Sequence, residues 1–149
     1  MKILTFASTA LALATIGVAA TTDLWAHGDV TPQPIDITGL PPLKETDWLT
    51  ENPYRGDDAA KKAAIEIGSS GYNQNCARCH GLQVISGGIA PDLRYLELGK
   101  VGDEWFIQRI RHGARKPDGS TMMPAFEGIF KQEAMWAIRT YIESLHQDN

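Results

Sequence analysis

Both cysteines of the chain stand in one five-residue run, Cys76-Ala77-Arg78-Cys79-His80. Two thiols three residues apart on a helical turn face the same way and can add to the two vinyl groups of one porphyrin. The histidine that follows sits under the iron, where an imidazole nitrogen becomes the fifth ligand. C-x-x-C-H in this order is the attachment signal of a c-type haem, with one covalent haem held by Cys76 and Cys79 and ligated by His80. Two other uses of the thiols compete. A redox-active disulfide belongs in a βαβ setting, and the chain shows no strand of that kind. A closed structural zinc site wants four ligands, and no second Cys/His pair lies at ligand spacing.

The sixth position decides the class of function. An open position binds oxygen, nitric oxide or peroxide, as a sensor or a peroxidase-like enzyme needs, whereas two strong protein ligands suit electron transfer. Beyond residue 26 the histidines other than His80 are His27, His112 and His146, and the methionines are Met122, Met123 and Met135. His27 falls at the start of the processed chain, His146 in a fraying C-terminus, and His112 at a helix end where a cation favours the dipole. Met135 lies on the apolar stripe of the last helix and reads as core. Met122 and Met123 follow His80 by 42 and 43 residues, enough chain to pass round the haem to its other face. Pro124 stiffens Met123 in an extended backbone, so Met123 is preferred over Met122. A six-coordinate electron carrier without catalytic residues is the reading that follows.

The elements that position these groups are helical. Asp57 or Asp58 caps a helix in which Ala60, Ala63, Ala64, Ile67 and Gly71 recur at helical spacing, and which leads through Tyr72 into the motif. An irregular stretch with Gly87, Gly88 and Pro91 follows. A second helix is predicted over residues 103–112, capped by Asp103 and stopped by Gly113, with Trp105, Ile107 and Ile110 as its apolar positions and Phe106 on the flank. After a polar turn at residues 116–120, an amphipathic last helix is predicted over residues 132–145, with Ala134, Met135, Ile138, Tyr141, Ile142 and Leu145 inward. The expected fold class is all-α.

Residues 1–26 read as a signal peptide. Lys2 precedes an apolar stretch with small residues, and cleavage fits after Ala20 or, preferably, after Ala26. An uncleaved anchor is the alternative. Residues 27–56 read as a proline-rich, mostly irregular arm, and residues 57–149 as the haem domain. Cleavage removes Lys2 and Asp23 and leaves the formal charge at −4, which suits neither nucleic acid nor an anionic membrane surface. Export fits the thiols, because c-type haem is attached beyond the membrane, so the location implied is the periplasm.

From residue 59 to 145 the chain resembles a class I, mitochondrial-type cytochrome c. Gly68 and Tyr72 on the first helix match the spacing at which that family's first helix crosses its last, where Ile138 and Tyr141 fit. Pro91 and Leu93 match the segment whose proline carbonyl accepts a hydrogen bond from the ligand imidazole, and Met123-Pro124 matches the ligand methionine. The resemblance makes Trp105 a pocket wall, or equally a plain core residue. The runs Thr38-Gly39-Leu40-Pro41-Pro42-Leu43, Glu51-Asn52-Pro53-Tyr54-Arg55 and Gly71-Tyr72-Asn73-Gln74-Asn75-Cys76 are similar to the soluble periplasmic cytochromes c that serve pyrroloquinoline-quinone alcohol dehydrogenases. That resemblance implies a monomer that receives single electrons from such a dehydrogenase and passes them to a terminal oxidase or another cytochrome. A fixed haem subunit of a larger redox complex is the competing assignment. Arg78, Arg94, Arg109, Arg111, Arg115 and Lys116 are candidates for a local basic docking patch.

Overall fold

The computed structural model of the chain describes residues 31–148; residues 1–26, read above as a signal peptide, and His27 lie outside them. Helix α1 (Asp58–Asn75) starts at Asp57, whose carboxylate accepts from the Ala60 amide at 2.8 Å. A one-turn helix, α2 (Ala77–His80), follows directly and carries the motif. After two short 3-10 turns come α3 (Gly99–His112), a hairpin of β1 (Ala114–Arg115) and β2 (Thr121–Met123), and α4 (Gln132–Ser144). The fold is therefore mostly helical rather than all-α. The polar turn at residues 116–120 closes an antiparallel pair, in which Ala114 faces Met123. No helix among the described residues is long and apolar enough to cross a membrane.

The crossing of α1 and α4 is the centre of the core. A side chain at Gly68 would collide with the backbone carbonyl of Ala137, so only glycine lets the two helices approach this closely. Next to the crossing, the rings of Tyr72 and Tyr141 lie 5.5 Å apart in a tilted pair, a favourable aromatic geometry.

Helix α4 differs from its predicted amphipathic form. Every residue from Gln132 to Ile142 is buried, including Gln132, Glu133, Arg139 and Thr140. The cause is the segment at residues 31–56, which has neither helix nor strand and lies over the polar side of α4. The backbone amides of Leu43 and Leu49 donate to the side chains of Glu133 and Gln132 at 2.8 and 2.7 Å. Gln132 donates back to the Lys44 carbonyl at 2.9 Å, and Asn52 donates to the Thr140 hydroxyl at 3.0 Å. Polar side chains of α4 thus satisfy the backbone of an irregular strap, which cannot satisfy itself.

Asp103 also departs from its predicted role. Helix α3 begins four residues earlier, after Leu98, and Asp103 is a fully buried ion rather than a cap. Its carboxylate meets Arg139 Nε at 2.8 Å, Arg55 Nη2 at 2.6 Å and the Asn52 amide at 2.9 Å. Burial by itself would raise the pKa of Asp103; the Asn52 amide and the two guanidinium groups outweigh it and hold the group below the usual carboxylate range. On the same helix Phe106, expected on the flank, is core, while Trp105, expected inward, is 44% exposed. The C-terminus is docked rather than frayed: the Gln147 amide donates to the Arg94 carbonyl at 3.0 Å.

Candidate haem-binding site

The motif is pinned to the end of α1. The Cys76 amide donates to the Tyr72 carbonyl at 2.8 Å, and the amides of Cys79 and His80 both donate to the Cys76 carbonyl, at 3.1 and 3.0 Å. One turn therefore fixes both thiols and the imidazole relative to α1. The Tyr72 hydroxyl donates to the Gly81 carbonyl at 3.0 Å and closes the far side. Gly81 has φ +81°, and the Ile85 carbonyl occupies the space that a side chain would need. Cys76 is partly buried and Cys79 exposed. Burial, with a smaller contribution from Cys79, pushes the Cys76 thiol up to about 12, so the unlinked sulfur is a neutral group at neutral pH.

His80 Nδ1 lies 3.0 Å from the carbonyl oxygen of Pro91. A carbonyl only accepts, so Nδ1 carries the proton and Nε2 presents its lone pair. The loop that brings Pro91 there is held by its own side chains. Ser86 donates from its amide to Asp92 at 3.3 Å and from its hydroxyl to the Ala90 carbonyl at 2.5 Å. Asp92 pairs with Arg94 at 2.8 Å, and the Arg94 guanidinium holds its carboxyl at about 2. Buried Val84 has φ +66°, a conformation costly for a β-branched residue, so strain is concentrated just after the motif.

Met123 and Trp105 belong to a second framework. Helix α3 ends at Gly113, φ +70°, where the Met123 carbonyl fills the place of a side chain. The chain returns along β2, and the amides of Phe126 and Glu127 donate to the carbonyls of Ile110 and Arg111 at 3.0 and 3.2 Å. Successive residues of a strand face opposite ways. Met123 is half-buried against the core, and Met122 points out at 64% exposure. Trp105 stands on α3 with the Arg109 guanidinium 5.3 Å from its ring centre. Met135 is fully buried in α4, and His112 is at the end of α3, 3.3 Å from Glu127.

These groups fit a haem. One turn supplies two thiols and an imidazole with Nε2 open, and the Met123 thioether on β2 is half-buried against the core. Leu82, Ile85, Ile89 and Trp105 are exposed large apolar residues, apolar surface of the kind a flat cofactor covers. The six cations do not form one free patch, since Arg94 pairs with Asp92 and Arg111 with Glu127 at 2.8 Å. Sequence reasoning missed the cluster of Asn52, Arg55, Asp103, Arg139 and Glu143. Its only local signal is the i, i+4 pair Arg139–Glu143, which ordinarily reads as a solvated helix face.

Comparison with known proteins is consistent with this geometry. The profile of a family described as cytochrome c oxidase, cbb3-type, subunit III, matches residues 63–142. The chain is 57% identical to cytochrome c550 of Pseudomonas aeruginosa over 123 residues, 83% of each protein. The chain belongs to the cytochrome c family. A cytochrome c binds haem c covalently, with its iron, and this cytochrome is a c550-like electron-transfer protein rather than an enzyme. It is also 39% identical over 90 residues, 58% of its length, to quinohemoprotein alcohol dehydrogenase ADH-IIG of Pseudomonas putida, of which this segment makes up 12%. A 32% match over 103 residues, 69% of this cytochrome, covers 13% of the dehydrogenase subunit of the quinone alcohol dehydrogenase of Gluconobacter oxydans.

Proposed function

We propose that this cytochrome is a soluble periplasmic monohaem carrier, taking single electrons from a pyrroloquinoline-quinone alcohol dehydrogenase and passing them to a terminal oxidase or another cytochrome. The observation that carries the donor is the similarity to haem segments inside quinohemoprotein alcohol dehydrogenases. A haem segment joined to such an enzyme and a free protein like it suit the same electron source.

Haem c, when bound, supplies an iron that gains and loses one electron. Cys76 and Cys79 would hold it through thioethers, and His80 would offer Nε2 to the iron. The Pro91 carbonyl fixes the tautomer and orientation of that ring and strengthens its donor nitrogen. Met123 rather than Met122 would supply a second ligand, because its thioether is half-buried against the core and that of Met122 is exposed. A thioether there raises the reduction potential. Trp105 is a wall of the pocket. A class I cytochrome c fold, a monomeric state, a signal peptide at residues 1–26, an arm at residues 27–56 and a haem domain at residues 57–149 belong to the same proposal.

The test is stopped-flow absorbance of the oxidised, haem-loaded protein mixed with a substrate-reduced quinoprotein alcohol dehydrogenase at low and high salt. Fast reduction that slows as salt rises is the expected result, since charge steers short-lived redox encounters. Reduction by a chemical reductant but not by the dehydrogenase would remove that donor. The matched profile, described as an oxidase subunit, favours one second reading, a fixed subunit of a larger complex. Co-purification with partner chains at high salt would establish it.

A further inference from the structure

We infer that the N-terminal arm positions the Met123 loop through Trp48, Arg111 and Glu127, and so sets how firmly the sixth ligand is held. The inference rests on the reading of Met123 as ligand.

The arm grips α3 at two places. Near the start of the helix, Asn52 and Arg55 bind Asp103 at 2.9 and 2.6 Å. At the other end the Arg111 guanidinium lies over the Trp48 ring, 4.0 Å from its centre. Arg111 also holds Glu127 through Nη2 at 2.8 Å, and its Nε is buried with no hydrogen-bond partner. A buried donor left unpaired costs free energy, and stacking on Trp48 together with the Glu127 ion pair offsets that cost and keeps Arg111 where it is. Glu127 is four residues beyond Met123, and its amide is bonded to the Arg111 carbonyl at 3.2 Å. Arm, helix end and ligand loop therefore meet at one side chain. Met123 enters on a three-residue strand paired only with Ala114 and Arg115, too little by itself to fix a ligand. The segment after it is tied to α3 by the Phe126 amide at the Ile110 carbonyl, and Arg111 adds the link to the arm.

A loosened loop releases its thioether more often and admits an external ligand. The experiment compares the haem-loaded, full-length protein with Trp48→Leu, Trp48→Phe and Glu127→Gln. Readouts are the thioether-to-iron band of the ferric form, imidazole affinity by spectral titration, reduction potential, and helix content by circular dichroism. Trp48→Leu and Glu127→Gln are expected to bind imidazole about tenfold more tightly, in the range of couplings within one contact network, with a lowered potential and unchanged helix content. Trp48→Phe keeps an aromatic face and should restore values close to wild type. A melting temperature lowered while band, affinity and potential stay at wild-type values would overturn the inference. Because Glu127 is 38% exposed, its variant is expected to keep wild-type helix content, and it decides the matter should Trp48→Leu lose helix. A wild-type protein without the thioether band would instead overturn the assignment of Met123, and this inference with it.

Discussion

The two adjacent methionines differ in direction, and with it in the chemistry open to them. Strand alternation sends the Met122 thioether to solvent and the Met123 thioether toward the core. Met123→Ala is expected to abolish the thioether-to-iron band and let the ferrous protein bind carbon monoxide readily. Met122→Ala should keep the band, and its stability should stay within about 0.5 kcal/mol of wild type, as for most exposed sites. Absorbance of the ferric form, gas titration and denaturant melts separate the two. His80 shows how a backbone atom shapes a side chain. The Pro91 carbonyl at 3.0 Å decides which ring nitrogen carries the proton. Substituting Pro91 would leave a carbonyl at that position in the chain but free the loop that delivers it.

Helices α1 and α4 meet where Gly68 touches the Ala137 backbone, and this contact fixes how the motif at the end of α1 lies against the core. Gly68→Ala improves local helix propensity by up to about 1 kcal/mol. Here the new methyl group meets backbone on the opposite helix, which cannot turn aside as a flexible side chain can. Overpacking wins, and a net loss of about 1–3 kcal/mol is expected in equilibrium unfolding. The tilted Tyr72–Tyr141 pair lies beside the same crossing, so its ring fluorescence or near-ultraviolet dichroism should change with it. Helix α3 shows the opposite case, a predicted start that is not the start. Leu98 offers no capping side chain, and Asp103 is withdrawn into the core by three partners from two other segments, the arm and α4.

Those partners tie the molecule together. Arg55 comes from the arm, Asp103 from α3, and Arg139 and Glu143 from α4. Asp103 is held below its ordinary value, so its contribution to stability is present above the unfolded value of about 3.9 and is lost as pH falls through the folded one. Asp92, held at about 2, acts in the same direction. Thermal stability should therefore stay flat with respect to these two groups above about pH 5 and fall steadily in acid. Asp103→Asn should flatten the acid limb. It should also cost about 3–5 kcal/mol at neutral pH, because the buried Arg139 would lose one of its two carboxylates and keep only Glu143, at 3.2 Å. Melting temperatures of both proteins across pH 2 to pH 7, about the span of these titrations, test the sign and the size.

The motif chemistry, the three longer helices, the Asp57 cap and the Gly113 stop were all readable from residue order. Thiol spacing, capping and the backbone restriction imposed by Pro124 act over a few residues, so they need no tertiary context. Burial of α4 on all sides, the exchange of Trp105 and Phe106, the ionic role of Asp103 and the pairing of β1 with β2 were not readable in this way. Each depends on what another segment brings. Asn52 is 51 residues from Asp103 and 88 from Thr140, and no local pattern carries that information. A charged residue on a helix is solvated or buried according to whether a partner arrives from elsewhere, and here the arm is that partner.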